Sequence, residues 1–353
     1  GSFGYGETLE QARTGAYGEL VEGLLHPFPG ARRDHREAGH HVGDRADGDA
    51  GALGDLFQAD CHIDHRRPLA TLHATLQDEV MTTSVDVGQA AREAIYTDGI
   101  TALKGAFSVE WADAMREDID AAFAEALARP NGAVGRGPNR YYVEIHPEQM
   151  RGFVDLVTHP WVTAVSEAVL GPDYRIVELG FDVPLAGAVN QPWHRDFPMP
   201  EVTRTERRLN SLAFNLTAVD TEEDMGPFEI APGTQFDWEP DFEHGMFPPK
   251  FRYGRYEERA VRKYPKRGDI SARSALTIHR GTANRSDEWR PVLVVGVDAP
   301  DATNAGHHDL QVTRPYLDSL PPRVRDHLTY RVTDELKPVI QNHVIEGLLE
   351  PDY

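Results

Sequence analysis

His194 and Asp196 stand two positions apart in the stretch QPWHRDF, residues 191–197. On an extended segment alternate side chains share a face, so the imidazole and the carboxylate can point the same way while Arg195 points away. Two such donors can take adjacent positions on one metal ion. They can equally form a hydrogen-bonded polar pair at a strand end, and a third ligand is what separates the two readings.

The candidate third ligand is His279 in SALTIHRGTANRSDEWRPVLVVGV. It ends an apolar run, precedes a loop rich in Gly, Asn, Ser and Asp, and is followed by a second apolar run. The segment therefore reads as a β-hairpin with His279 at a barrel mouth. Two histidines and one carboxylate on one face of an octahedron leave three positions open, the arrangement of non-haem Fe(II) oxygenases. A chelating cosubstrate can fill two of them. Arg290 follows His279 by eleven residues, at the start of the returning run, where a hairpin brings its guanidinium close enough to pair with the far carboxylate of a dicarboxylate chelator. The competing reading pairs Arg290 with Asp287 or Glu288 on the surface, and Arg280 and Arg285 are neighbouring alternatives.

Other polar residues join the candidate site more loosely. Asn215 and Thr217 alternate along LAFNLTAV and either project beside a cosubstrate or bond across strands. Arg140, Tyr141 and Tyr142 in NRYYVEI offer cosubstrate or substrate contacts, with aromatic core packing as the alternative. Gln191 and Trp193 flank the His-x-Asp pair, Trp193 either walling a pocket or filling a core. Gly226, Pro227, Pro232 and Gly233 most simply make turns.

These residues need a scaffold, and the elements around them read as mostly β. YRIVELGFDVPL, LNSLAFNLTAVD, ALTIHRG and RPVLVVGVDA are β-branched and aromatic runs bounded by Gly, Pro, Asp and Asn, which predict antiparallel strands closing a sandwich or barrel. Ahead of them, VGQAAREAIYTDGITALKGAF predicts a helix, a Gly break and a short strand. SVEWADAMREDIDAAFAEALA predicts a Ser-capped amphipathic helix. After residue 300 helical spacing returns, interrupted by prolines. The expected organisation is an accessory, partly loop-like extension over residues 1–80, a β domain over 81–300 and a C-terminal helical segment over 301–353 packing on it. Within the extension, Cys61, His62 and His65 lack a second ligand pair at zinc spacing, so a solvated His-rich loop is the reading.

Composition narrows the partners. The chain has 353 residues, 40% of them hydrophobic, enough for one large core. Asp and Glu outnumber Lys and Arg by 57 to 36, a net charge of -21 that repels nucleic-acid backbones and anionic membranes. The expected partner is a small-molecule substrate, with a homodimer possible and neither nucleic acid nor membrane. The start GSFGYGETLEQ lacks a basic and then apolar leader, and the single cysteine fits a reducing cytoplasm.

The set WHRDF, GPFEIAPGTQ and RGDISARSALTIHRGTANRSDEWRP resembles the phytanoyl-CoA dioxygenase family of Fe(II)- and 2-oxoglutarate-dependent oxygenases, over about residues 86–300. The resemblance implies a double-stranded β-helix, a jelly-roll, cupin-like barrel flanked by helices and hence an α+β chain with a mostly β core. It implies His194, Asp196 and His279 as iron ligands and Arg290 on the C5 carboxylate of 2-oxoglutarate. It implies O2 as the other cosubstrate and hydroxylation of a C–H bond with release of succinate and CO2. Asn215, Thr217, Gln191 and Tyr142 are further candidates for cosubstrate contact. Where the family often has Ser-His, this chain has Thr234 and Gln235. Asp196 fills the position that halogenases leave to halide, which disfavours halogenation. Two alternatives remain at this stage: the same site performing desaturation, cyclisation or epimerisation, and a cupin-like binding module without turnover.

Overall fold

The computed structural model describes residues 86–339. Helix α1 (86–98) ends at Gly99, where a φ of 82° turns the chain into strand β1 (Ile100–Leu103). Helix α2 (Val109–Leu127) begins at its expected cap, Ser108 Oγ accepting the Trp111 N–H at 3.1 Å. Its buried stripe of Ala112, Met115, Ile119, Ala122, Phe123 and Ala126 has the three- and four-residue spacing of one helix face. Strands β2 (Val134–Gly135) and β3 (Arg140–Glu144) follow. Two helices come next that the sequence reading did not anticipate, α3 (Phe153–Thr158) and α4 (Pro160–Leu170). The signals for α4 are present: Pro160 in its first turn, the Trp161 N–H bonded to His159 Nδ1 at 3.2 Å, and Gly171 beyond its end at φ 91°.

Seven strands then wind between two sheets: β4 (Arg175–Pro184), β5 (Ser211–Thr217), β6 (Phe228–Ile230), β7 (Val261–Lys263), β8 (Ile270–Ser274), β9 (His279–Gly281) and β10 (Val292–Asp298). The large sheet has the order β1-β8-β5-β10-β4-β3-β2 and the small one β7-β6-β9. Residues 191–196 extend the small sheet beside β9. His194 and His279 exchange N–H···O bonds of 3.0 and 2.8 Å, and the Gln191 N–H reaches the Gly281 carbonyl at 2.9 Å. Along the chain the strands thus fall large, small, large, small, small, large, small, large. Antiparallel pairing with that alternation is a jelly roll, the mostly β core flanked by helices that the sequence reading expects.

The large sheet has two chemically different faces. Leu179, Phe181, Val183, Phe214, Leu216, Leu293, Val295 and Val297 pack with Met115, Ile119, Phe123, Val162 and Val165 of α2 and α4 in the main core. The alternate positions, among them Glu178, Asp182, Asn215, Thr217, Ser271 and Arg273, line a cavity between the sheets. On the far side of the small sheet Trp193, Ala231, Phe242, Tyr256 and Ile278 form a second apolar cluster.

The hairpin expected around His279 is corrected. Residues 275–278 form a turn, and His279 opens a strand instead of ending one. Strand β9 pairs with β6 and β10 with β4 and β5, so the loop between them crosses from one sheet to the other. Alternation in a sequence reports that a run is extended and says nothing about which sheet takes it. Past residue 300, β11 (Gln311–Thr313) and β12 (Arg331–Thr333) pair in parallel and enclose the six-residue helices Arg314–Ser319 and Pro322–His327. Leu317, Leu320, Val324 and Leu328 join the main core. The expectations for residues 1–80, Cys61, His62 and His65 among them, and for the chain beyond 339 lie outside the described residues. No helix of the described residues is long and apolar enough to cross a membrane.

Gly99 ties the outer elements to the site. Its carbonyl accepts from the Ser274 N–H at 2.9 Å and the Thr277 hydroxyl at 3.2 Å, and a Cβ there would strike that hydroxyl. Gly99→Ala therefore combines a positive φ with a collision two residues before His279. A loss of at least about 1 kcal/mol is expected in urea unfolding, and an unchanged midpoint would show that this turn does not bear on the fold.

Candidate metal centre

His194 and Asp196 come from the strand-like segment 191–196 and His279 from the first residue of β9, adjacent in the small sheet. Arg195, between the first two, turns the other way and places its guanidinium 4.9 Å from the centre of the Phe242 ring. One ligand atom from each of His194, Asp196 and His279 lies within 4.8 Å of the others, the grouping among the described residues suited to one ion. His279 Nε2 stands 3.3 Å from Asp196 Oδ1. Cis ligands on an octahedral ion with bonds of about 2.1 Å sit about 3 Å apart, so the separation fits a shared metal.

The backbone sets which ring nitrogen faces the centre. His194 Nδ1 lies 2.8 Å from the Pro192 carbonyl and His279 Nδ1 2.9 Å from the Thr277 carbonyl. A carbonyl only accepts, so each Nδ1 carries the proton and each Nε2 keeps its lone pair for a metal. Burial, and then the neighbouring His279, lower the His194 pKa to about 3. Burial and Arg273 lower that of His279. Both rings are thus neutral, as ligation requires. Asp196 has the opposite balance: desolvation would raise its pKa, but the Arg273 guanidinium holds it far below the usual carboxylate range.

Arg273 is the residue that the sequence reading missed. It sits on β8 facing the cavity and grips Asp196 in a bidentate pair, Nη1 to Oδ2 at 2.6 Å and Nη2 to Oδ1 at 3.2 Å. The available signal was the alternation of Ser271 and Arg273 against Ile270 and Ala272 in ISARS, which puts both polar side chains on one strand face.

Arg290 is buried and lines the same cavity of about 750 Å³. Its Nε donates to the Met225 carbonyl at 3.2 Å and its Nη2 to the Gly226 carbonyl at 2.8 Å. No described carboxylate forms an ion pair with it, and the surface pairing with Asp287 or Glu288 is not present. Asp182 pairs with Arg140 at 2.8 Å instead. Burial and the nearby Arg140 lower the Arg290 pKa to about 10, leaving it charged at neutral pH. A buried guanidinium without a counter-ion is suited to receive an anion. Arg280 is occupied elsewhere, bonding Glu229 at 2.7 Å and covering the Trp193 ring.

The remaining candidates divide. Asn215, Thr217, Gln191, Arg140 and Tyr142 line the cavity. The Thr217 hydroxyl donates to the Val219 carbonyl at 2.8 Å, Gln191 Oε1 accepts the Gly281 N–H at 2.8 Å, and the Tyr142 hydroxyl donates to Glu178. Tyr141 packs toward Phe123 in the main core, and Trp193 is core rather than pocket wall. Thr234 and Gln235, where this chain departs from the usual Ser-His, are structural. Thr234 Oγ1 accepts the Ile278 N–H at 2.9 Å beside His279, and Gln235 Nε2 donates to the Tyr96 carbonyl of α1 at 2.7 Å.

A family model described as phytanoyl-CoA dioxygenase (PhyH) matches residues 95–292, more than half of the chain. Among solved structures, the non-heme alpha ketoglutarate dependent carbocyclase SnoK from nogalamycin biosynthesis is similar at 21% identity and a TM-score of 0.48, covering 61% of this chain and 85% of that one. EctD from S. alaskensis with 2-oxoglutarate and 5-hydroxyectoine is similar at 17% identity and a TM-score of 0.48, covering 59% and 74%. No curated protein sequence matches.

The grip of Arg273 on Asp196 is open to direct measurement. Arg273→Met is expected to weaken Co(II) or Fe(II) binding by about 10- to 100-fold, the usual cost of losing a group that orients a ligand. Arg273→Lys should recover part of it. Calorimetric metal affinity equal to that of the unsubstituted chain would show that Asp196 needs no such support.

Proposed function

Because the chain belongs to the phytanoyl-CoA dioxygenase family of Fe(II)- and 2-oxoglutarate-dependent oxygenases, we propose that His194, Asp196 and His279 hold its iron, that Arg290 binds the C5 carboxylate of 2-oxoglutarate, and that the enzyme hydroxylates an unactivated C–H bond of a small molecule. The observation that carries this reading is the triad itself: three ligand atoms within 4.8 Å of one another, from two histidines whose Nδ1 atoms face backbone carbonyls and one carboxylate. Bound iron supplies O2 activation coupled to decarboxylation, so that 2-oxoglutarate, O2 and R–H give succinate, CO2 and R–OH.

The protein's own residues do the positioning. Arg273 fixes the plane of the Asp196 carboxylate by bonding both oxygens, more closely Oδ2, with Oδ1 also toward His279. Arg290, anchored by two carbonyls, presents its remaining N–H groups to a carboxylate, and Arg140 beside it adds positive charge. Asn215, Gln191, Thr217 and Tyr142 lie on the walls where the rest of the cosubstrate would run. Phe228, 5.1 Å from the His279 ring, and Phe247, 5.9 Å from the His194 ring, stand beside the two imidazoles and give them an apolar surround. The single Cys61 fits a reducing cytoplasm, where iron stays ferrous.

Anaerobic addition of Fe(II) and then 2-oxoglutarate should give a visible metal-to-ligand charge-transfer band that needs both and is lost in His279→Ala. Arg290→Ala should raise the 2-oxoglutarate Kd by about 10- to 100-fold, from the loss of charge-assisted hydrogen bonds, with iron affinity unchanged. Folded, iron-loaded protein that gives no band would sink the reading. With a turned-over substrate, product mass reports the reaction: one added oxygen means hydroxylation, and loss of two hydrogens means desaturation or ring closure.

A further inference from the structure

The cavity has a second polar end, on the far side of the large sheet's inner face from Arg273. Strand register puts Arg273, Ala213, Gly296 and Glu178 in one row across β8, β5, β10 and β4. At about 4.8 Å per strand the row spans about 14 Å. Its two middle positions are small residues, so the floor between the ends is open. Glu178 folds inward over this floor: a Cβ on Gly296 would meet its Oε2 at 2.6 Å. A register shift beside Gly296 leaves Val177 as the extra residue, and both Val177 and Glu178 line the cavity. Gly180 makes room in the same way for the Tyr142 hydroxyl, which donates to Glu178.

Asp298 and His308 on the cavity lining, with Glu144 paired to His308, complete this end. Asp298, 2% exposed, accepts from the Ser211 hydroxyl at 2.6 Å and from Asn304 Nδ2 at 3.2 Å through one oxygen, Oδ1. Its other oxygen, Oδ2, is buried with no hydrogen-bond partner, on a residue that lines the cavity. Glu144 is buried and pairs with His308 Nδ1 at 3.2 Å, while His308 Nε2 is 4.0 Å from Glu178. Against the effect of burial, the bond to Glu144 and the nearby Glu178 raise the His308 pKa, which favours an imidazolium that offsets part of the acids' charge. Arg136 places its guanidinium over the Tyr142 ring, 5.1 Å from the centroid, and forms no ion pair with these carboxylates. An unpartnered buried carboxylate oxygen is costly unless something arrives to satisfy it. These oxygens do not group closely enough to share a metal ion, a condition met among the described residues by His194, Asp196 and His279. Burial raises the Asp298 pKa, and an organic cation beside it would hold the carboxylate in its charged form.

We propose that Glu178 and Asp298 form a cation subsite for the substrate, which is a small molecule carrying a protonated amine, held with its oxidised carbon over Ala213 on the iron side of the floor. The assignment of the carbon rests on the oxygenase reading above; the cation subsite itself stands on the acids and the register. Recognition by two carboxylates gives the amine charge-assisted hydrogen bonds that an alcohol or a carboxylate of the same shape does not match.

The test compares hexylammonium, hexanol and hexanoate by calorimetry, on the metal-free chain and on the chain loaded anaerobically with Fe(II) and 2-oxoglutarate. Hexylammonium should bind at least tenfold more tightly than either analogue. Glu178→Gln and, separately, Asp298→Asn should each remove at least tenfold of that affinity without changing hexanol binding, which also reports that the variants are folded. Equal affinity for hexanol, preference for hexanoate, no binding of hexylammonium, or undiminished ammonium binding in folded Glu178→Gln would each overturn the proposal. The comparison on the unsubstituted chain decides by itself if a variant fails to fold. A cation preference without a charge-transfer band would keep the subsite and retire the oxygenase reading, and a band without cation preference would do the reverse.

Discussion

Two backbone hydrogen bonds between His194 and His279 carry the rest of the site. They join residues far apart in the chain into one rung of the small sheet, and the rung fixes where both imidazoles begin. Side-chain chemistry then has little freedom left. Each Nδ1 meets a carbonyl two residues earlier in its own segment, Pro192 in one case and Thr277 in the other, so local backbone selects the tautomer. Asp196 follows by the period of an extended chain. The jelly roll matters to function because it makes this rung: its strand alternation brings the segment after β4 and the strand before β10 side by side in the sheet opposite the main core.

That arrangement asks one sheet to be a core on one face and a binding wall on the other. Along β10, Leu293, Val295 and Val297 enter the helix-covered core, while Val292, Val294, Gly296 and Asp298 face the cavity. Burying charge on such a wall is costly, and the structure offsets the cost by anchoring. Arg273 is held by Asp196, Arg140 by Asp182 and the Thr282 carbonyl, and Arg290 by two carbonyls. Pre-placed groups of this kind need little reorganisation when ligands enter.

The chemistry of the site was more legible in the sequence than its geometry. His194, Asp196 and His279 were recognisable because residue type, order and spacing all bear on one function, and the Ser108 cap and the Gly99 break because their signals are local. The hairpin at His279 was misread because sheet membership depends on distant partners, here β6 for β9 and β4 and β5 for β10. Strands β6 and β7, three residues each, are too short to show a period. Arg273 escaped attention because an arginine in a strand reads as solvent-facing. Only the fold reveals that its face is interior and that Asp196 stands across from it.

Charge along the cavity then becomes an orienting device. Arg290 makes one end positive, while Glu178 and Asp298 make the other negative, with the triad on the wall between the sheets. A dicarboxylate is drawn to the first end and repelled from the second, and an ammonium experiences the reverse. On the proposed assignment repulsion works with attraction, since it disfavours a second dicarboxylate in the substrate's place. Shape reinforces the distinction. Ala213 and Gly296 leave the floor open between the two ends, whereas larger side chains would close the path from the acids to the metal centre. On this argument the small residues and the acids act together, and the inward fold of Glu178 is possible because Gly296 carries no side chain.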